Sequence, residues 1–130
     1  MPQAEFSSSV TYSPPGGGLL TQAFGVTANY ASASAGTVAI SAKADPHPIA
    51  IPFGGIGADA RGLVVRNNTA VDLGIRLNGA TSDLYRLAPG GLIMHWAPAS
   101  AGASALTACT VAPAVAAPSD GSIDYLVFGT

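Results

Sequence analysis

A chain of 130 residues is one domain's worth of sequence, and charge in it is sparse. Asp, Glu, Lys and Arg make up 9% of the residues and the net charge is −2, where an ordinary soluble domain is about 25% charged. One lysine, Lys43, and four arginines spread from Arg61 to Arg86 form no basic cluster, so the phosphate neutralisation that nucleic-acid binding requires is excluded.

Such a surface has two readings. Runs such as "ASASAG" and "APASAGASALTA" point to a coding bias toward Ala and Gly. Alternatively, other subunits cover much of the surface in the working state, because a free protein leans on interspersed charge for solubility. Cys109 is alone, which excludes an intrachain disulfide and a cysteine metal site. The start "MPQAEFSSSV" has no basic segment followed by an apolar one, so no secretory signal is expected. No apolar run approaches the roughly 18 residues of a spanning helix, so no membrane partner is expected.

In chain order, residues 1–34 contain "SSS", "SPPGGG" and "ASASAG". Pro14-Pro15 and the glycines that follow continue neither a helix nor a central strand. The apolar Phe6, Leu19, Leu20, Phe24 and Tyr30 are too many for a solvated linker. The pattern predicts an extended arm with one strand near Leu19 to Ala28, ordered only on docking. From Gly36 the text becomes eight short runs rich in β-branched and aromatic residues: 36–42, 47–53, 61–68, 71–78, 83–88, 91–97, 103–111 and 121–129. Gly, Pro, Asn and Asp bound them at intervals of roughly 8–12 residues, the signature of an antiparallel sandwich or barrel. Pro98, Gly102, Pro113 and Pro118 argue against a helix in the alanine-rich segment 97–117.

Parity assigns the faces. Leu73, Ile75 and Leu77 share one, and Ile123, Tyr125 and Val127 share another. The strand at 121–129 is apolar on nearly both sides, which predicts a central strand or one covered by a neighbouring chain. Asn78-Gly79, Ala88-Pro89-Gly90-Gly91 and Asp120-Gly121 are expected turns. The predicted fold is therefore an all-β antiparallel sandwich over 35–130, with a jelly roll among the arrangements it admits, and an N-terminal arm over 1–34.

Chemistry is harder to find. His47 sits between two prolines, and His95 lies on a strand beside Trp96, neither with a partner pattern for catalysis. No nucleophile elbow is present. Asp72, Asp83, Asp120 and Asp124 are too scattered for a calcium loop. The glycines at 16–18 and 54–55 lack the lysine or helix of a phosphate cradle. Asn67-Asn68-Thr69 matches a glycosylation acceptor, discounted without a secretory signal. No catalytic, metal or cofactor residue is predicted. Arg66, Arg76 and Arg86, ten residues apart, place one arginine per strand, suited either to carboxylates across an interface or to solubility. Trp96, Tyr85 and Tyr125 offer aromatic faces for sugar stacking, which makes a carbohydrate-binding module the rival reading.

The segment "GLVVRNNTAVDLGIRLNGATSDLYRLAPGGLIMHWAP", closed by "GSIDYLVFGT", resembles small virion structural proteins of tailed bacteriophages. The resemblance rests on a strand into "RNNT", a second into "RLNG", then "LAPGG" and an aromatic C-terminal strand. It covers about residues 61–97 and 121–130. Proteins of that kind are β-sandwiches that decorate or cement capsids, or serve in tails and baseplates. The resemblance implies a non-enzymatic subunit in the virion, assembled in the host cytoplasm. It implies binding between major capsid subunits as a trimer or dimer, with an extended terminus as a strap. The expected interface residues are Arg66, Arg76, Tyr85, Arg86, Trp96, Phe128, Leu19, Leu20 and Phe24.

Overall fold

The computed structural model describes residues 2–56, 60–96 and 106–129. Ten β-strands and no helix are found among them: β1 (Gln3–Tyr12), β2 (Leu20–Asn29), β3 (Ser32–Ile40), β4 (Ile49–Ala50), β5 (Ala60–Asn68), β6 (Leu73–Leu77), β7 (Tyr85–Leu87), β8 (Leu92–Trp96), β9 (Cys109–Pro113) and β10 (Gly121–Gly129). The first residues of the expected run 103–111, with Pro98 and Gly102, lie outside the described residues.

Strands β3 to β10 form two four-stranded antiparallel sheets that pack together as a β-sandwich, ordered β3-β10-β5-β8 and β4-β9-β6-β7. Their pairing follows one rule. β3 pairs with β10, β4 with β9, β5 with β8 and β6 with β7. These four ladders make one long antiparallel ribbon. Wrapping it on itself adds the ladders β10 to β5 and β9 to β6. The β10 strand is therefore central, flanked by β3 and β5, as its two apolar faces predict.

The core lies between the sheets and follows the parity. Leu73 and Ile75 from one sheet meet Val65, Ile123 and Val127 from the other, with Val111 beside them, all essentially inaccessible. Each such side chain contributes about 1.5–3 kcal/mol by leaving water. Asn78 and Gly79 both take positive φ, 54° and 76°, and Ala80 N–H donates to Leu77 O at 3.1 Å, the mirror-image turn that Asn-Gly favours.

Two polar residues are buried here, Asn67 and Thr69. Asn67 is fully buried and satisfied at both ends of its amide. Its Nδ2 donates to Val71 O (2.8 Å) and Leu87 O (2.9 Å), and its Oδ1 accepts from Thr69 N–H (2.9 Å) and Thr69 Oγ1 (2.6 Å). The side chain thus ties the end of β5 to the β5–β6 turn and to β7. A buried amide is tolerable only when paired in this way.

The largest departure from expectation is at the N-terminus. Residues 3–29 are a two-stranded hairpin, β1 paired with β2 from Gln3↔Asn29 to Tyr12↔Leu20, rather than a single extended arm. The "SPPGGG" stretch is its loop: Gly17 N–H donates to Pro14 O (3.2 Å), and Gly16 has φ 74°, as the third position of a type II turn requires. The expected strand near Leu19 to Ala28 is β2. The sandwich itself begins at Ser32, which pairs with Gly129.

Candidate functional site

The hairpin is amphipathic, because directly opposed residues share a face. One face carries Phe6, Val10, Tyr12, Leu20, Phe24 and Val26, with Ser8 and Gln22 as its polar members. The other carries Gln3, Glu5, Ser7, Ser9, Thr11, Thr21, Thr27 and Asn29. Two strands alone bury too little to stand in water, so the base of the apolar face needs an anchor.

The outward side of β10 and its neighbours supplies one. Phe128 lies on that side opposite Gly62, and any side chain at position 62 would overlap the Phe128 ring. The absent side chain is what lets the ring lie flat on β5. Trp96, paired with Gly62 from β8, meets Phe128 edge-on at 4.5 Å, and Tyr30 approaches it at 5.6 Å. Phe6 of the hairpin then packs on Trp96 at 5.5 Å. Backbone contacts complete the junction: Ala31 N–H donates to Gly129 O (2.8 Å) and Arg61 Nη1 to Asn29 O (3.2 Å). Phe128 is consequently 1% exposed. It was expected at an interface between chains; within this chain Trp96 and Tyr30 already enclose it.

Beyond the anchor, the hairpin projects with its apolar face uncovered. Val10, Tyr12, Leu20 and Phe24 are each 50–53% exposed, and Leu19 in the loop 72%. Between this face and the sheet runs a cleft of about 670 Å³ lined by Phe6, Val10, Phe24, Val26, Met94 and Trp96, with Ser8, Ala23 and Gly25. No charged side chain among the described residues lines it. The lone charge of the two hairpin strands, Glu5, pairs with Thr27 on the other face.

A second uncovered apolar region follows the β7 and β8 edges. Leu84, Tyr85 and Leu92 are 50–56% exposed, and a gap of about 420 Å³ opens between the sheets there, lined by Leu63, Ile75, Tyr85, Arg86, Leu92 and His95 among others. His95 Nε2 and Trp96 Nε1 are buried without a hydrogen-bond partner among the described residues.

The arginines do not form one patch. Arg66 is exposed on the outward side of the β3-β10-β5-β8 sheet, opposite Asp124. Arg76 and Arg86 belong to the other sheet, where both reach Asp83: Arg76 Nε at 2.8 Å and Arg86 Nη2 at 3.6 Å. The Asp83 carboxylate occupies the space over Gly74 that a side chain there would fill. Two further acidic residues also serve the fold. Asp120 Oδ1 accepts from Ala42 N–H (2.8 Å), and Asp124 accepts from Thr37 Oγ1 (2.9 Å) and Asn68 Nδ2 (2.6 Å). His47 Nδ1–H donates to Asp45 O (2.9 Å). Among the described residues no three His, Cys, Asp or Glu side chains come together as metal ligands would, and no helix is long and apolar enough to cross a membrane. Burial pushes the Cys109 thiol up to about 11.

The nine expected interface residues are therefore distributed over separate places. Leu19, Leu20, Phe24 and Trp96 belong to the hairpin and its cleft, and Tyr85, Arg76 and Arg86 to the β6–β7 side. Arg66 stands on the outward side of the other sheet, and Phe128 is interior. Sequence reasoning missed Phe6, Val10 and Tyr12 as partners of Leu20 and Phe24. The signal was the alternation in "EFSSSVTY", muted because Ser8 interrupts the apolar positions between Phe6 and Val10. The chain matches no protein-family model, no curated protein and no solved structure.

Proposed function

We propose that this chain is a non-enzymatic structural subunit of a virion, of the kind that decorates and stabilises a capsid by burying apolar surface against neighbouring subunits. The observation that carries the reading is the pair of uncovered apolar surfaces, on the hairpin and along the β7–β8 edge, in a chain with only 9% charged residues. Exposed apolar area of this extent on a soluble protein marks interaction sites. The strand order, with first paired to last and fourth to fifth, fits a jelly roll, an arrangement recurrent in viral capsid and lectin domains, and supports the reading. The side chains of Asp83, Asp120, Asp124 and His47 bond within the fold, which fits a role in assembly.

A sugar-binding role would use the same family of folds. It needs aromatic rings side by side on one open face, and here the three rings are dispersed. Trp96 packs between Phe6 and Phe128, Tyr125 faces the core, and Tyr85 belongs to the other sheet.

The test is immunogold electron microscopy of virus particles from the chain's native source, using antibody to the purified chain. Label over the head surface is expected. Label confined to tails would reassign the chain to a tail or baseplate, and particles without label, together with a glycan-array signal, would overturn the structural reading.

A further inference from the structure

We infer that the cleft under the hairpin is filled by the hairpin of a second copy of this chain, apolar face against apolar face. A two-stranded ribbon with one oily side needs a second layer, and the molecule's own sheet covers only the base, through Phe6 and Trp96. The identical face of another copy is a matching second layer, because two-fold pairing sets the same patch on itself.

Charge and area both favour this occupant. The cleft lining is uncharged, so two copies meet without like-charge repulsion. An acidic or basic partner would find nothing there to pair with. Half-exposed Tyr12 and Phe24 offer on the order of 100 Å² each, and with Val10, Leu19 and Leu20 the face presents roughly 500 Å². Two copies then bury about 1,000 Å², the lower limit of a specific interface. That area fits a weak dimer, dissociating in the micromolar range, since area alone does not guarantee affinity. The contact is separate from the shell proposed above: the β7–β8 edge stays open in the pair to meet other subunits.

The adjacent residues Ser9 and Val10 test the geometry, because they point to opposite faces of β1. Sedimentation equilibrium of the full chain, from low micromolar to several hundred micromolar, should show a monomer–dimer transition. Val10→Asp and Phe24→Asp, both at exposed positions, should each weaken it at least about 100-fold, with far-UV circular dichroism unchanged. Ser9→Asp should leave it within about threefold. A wild-type chain that stays monomeric throughout overturns the inference, whatever the variants do and whether or not the chain labels particles. So does a Ser9→Asp variant that dissociates as fully as Val10→Asp, which would place the contact on the hairpin's edge or polar side.

Discussion

Replacing Asn67 with alanine should be among the most damaging single changes in the sandwich, although the residue is polar and sits at the end of a strand. The substitution deletes four hydrogen bonds: two donated to Val71 O and Leu87 O, and two accepted from the Thr69 amide and hydroxyl. Each contributes about 1 kcal/mol net, and a buried group left unpaired costs about 1–3 kcal/mol. Thr69 Oγ1 retains Val71 O (3.0 Å), and Leu87 is only partly buried, so some of the loss is recovered. The expected destabilisation is about 3–4 kcal/mol, a large share of the roughly 5–15 kcal/mol of a whole domain. Urea unfolding followed by circular dichroism measures it. Asn68→Ala is the control: its amide bonds Asp124 at the surface (2.6 Å), and its loss should cost less than about 1 kcal/mol. If the two variants unfold at the same urea concentration, the buried amide is not the tie described here.

Two further outcomes follow from the geometry. Gly62→Ala should displace the Phe128 ring from β5 and cost about 1–3 kcal/mol by overpacking, with a change in Trp96 fluorescence as the anchor loosens; unchanged emission and stability would refute the stacked arrangement. The Cys109 thiol titrates near 11 when folded, against 9.0 for the unperturbed group, because burial disfavours the thiolate. The folded state therefore holds its proton more tightly, and stability present below pH 9 is lost as pH rises toward 11, by up to about 2–3 kcal/mol. Comparison with Cys109→Ala across this range isolates the effect, and equal pH slopes for the two chains would contradict it.

The sandwich was legible where one strand carries its whole message. "GSIDYLVFG" matches β10 residue for residue, because apolar residues on both faces suit a strand covered on both sides, central in its sheet or against a neighbouring chain. The alternation of Leu73, Ile75 and Leu77 identified the core side of β6. The hairpin was not legible, because its strand character is shared between two segments. β1 puts Phe6, Val10 and Tyr12 on one face but breaks their alternation with Ser8, and only pairing with β2 makes a face of them. Breakers such as Pro14-Pro15 end a strand equally well in a loop or in a tail. Phe128 illustrates a different limit. Parity separated it from Ile123, Tyr125 and Val127, but the residues that enclose it, Tyr30 and Trp96, are brought there by tertiary pairing. Asn67 belongs to the same class: its partners lie 4 and 20 residues away, across two turns.

The wrapped ribbon also has a consequence for synthesis. Its first strand, β3, pairs with β10 alone in its sheet, and β10 is made after all the other sandwich strands. Until β10 leaves the ribosome, β3 has no partner and β5 lacks one of its two neighbours. The anchor for the hairpin is also missing, since Phe128 is in the last strand. A nascent chain with this pairing order cannot accumulate its sandwich strand by strand; it must hold its apolar segments apart and close late, which makes folding slow and leaves the unfinished chain open to association with its copies.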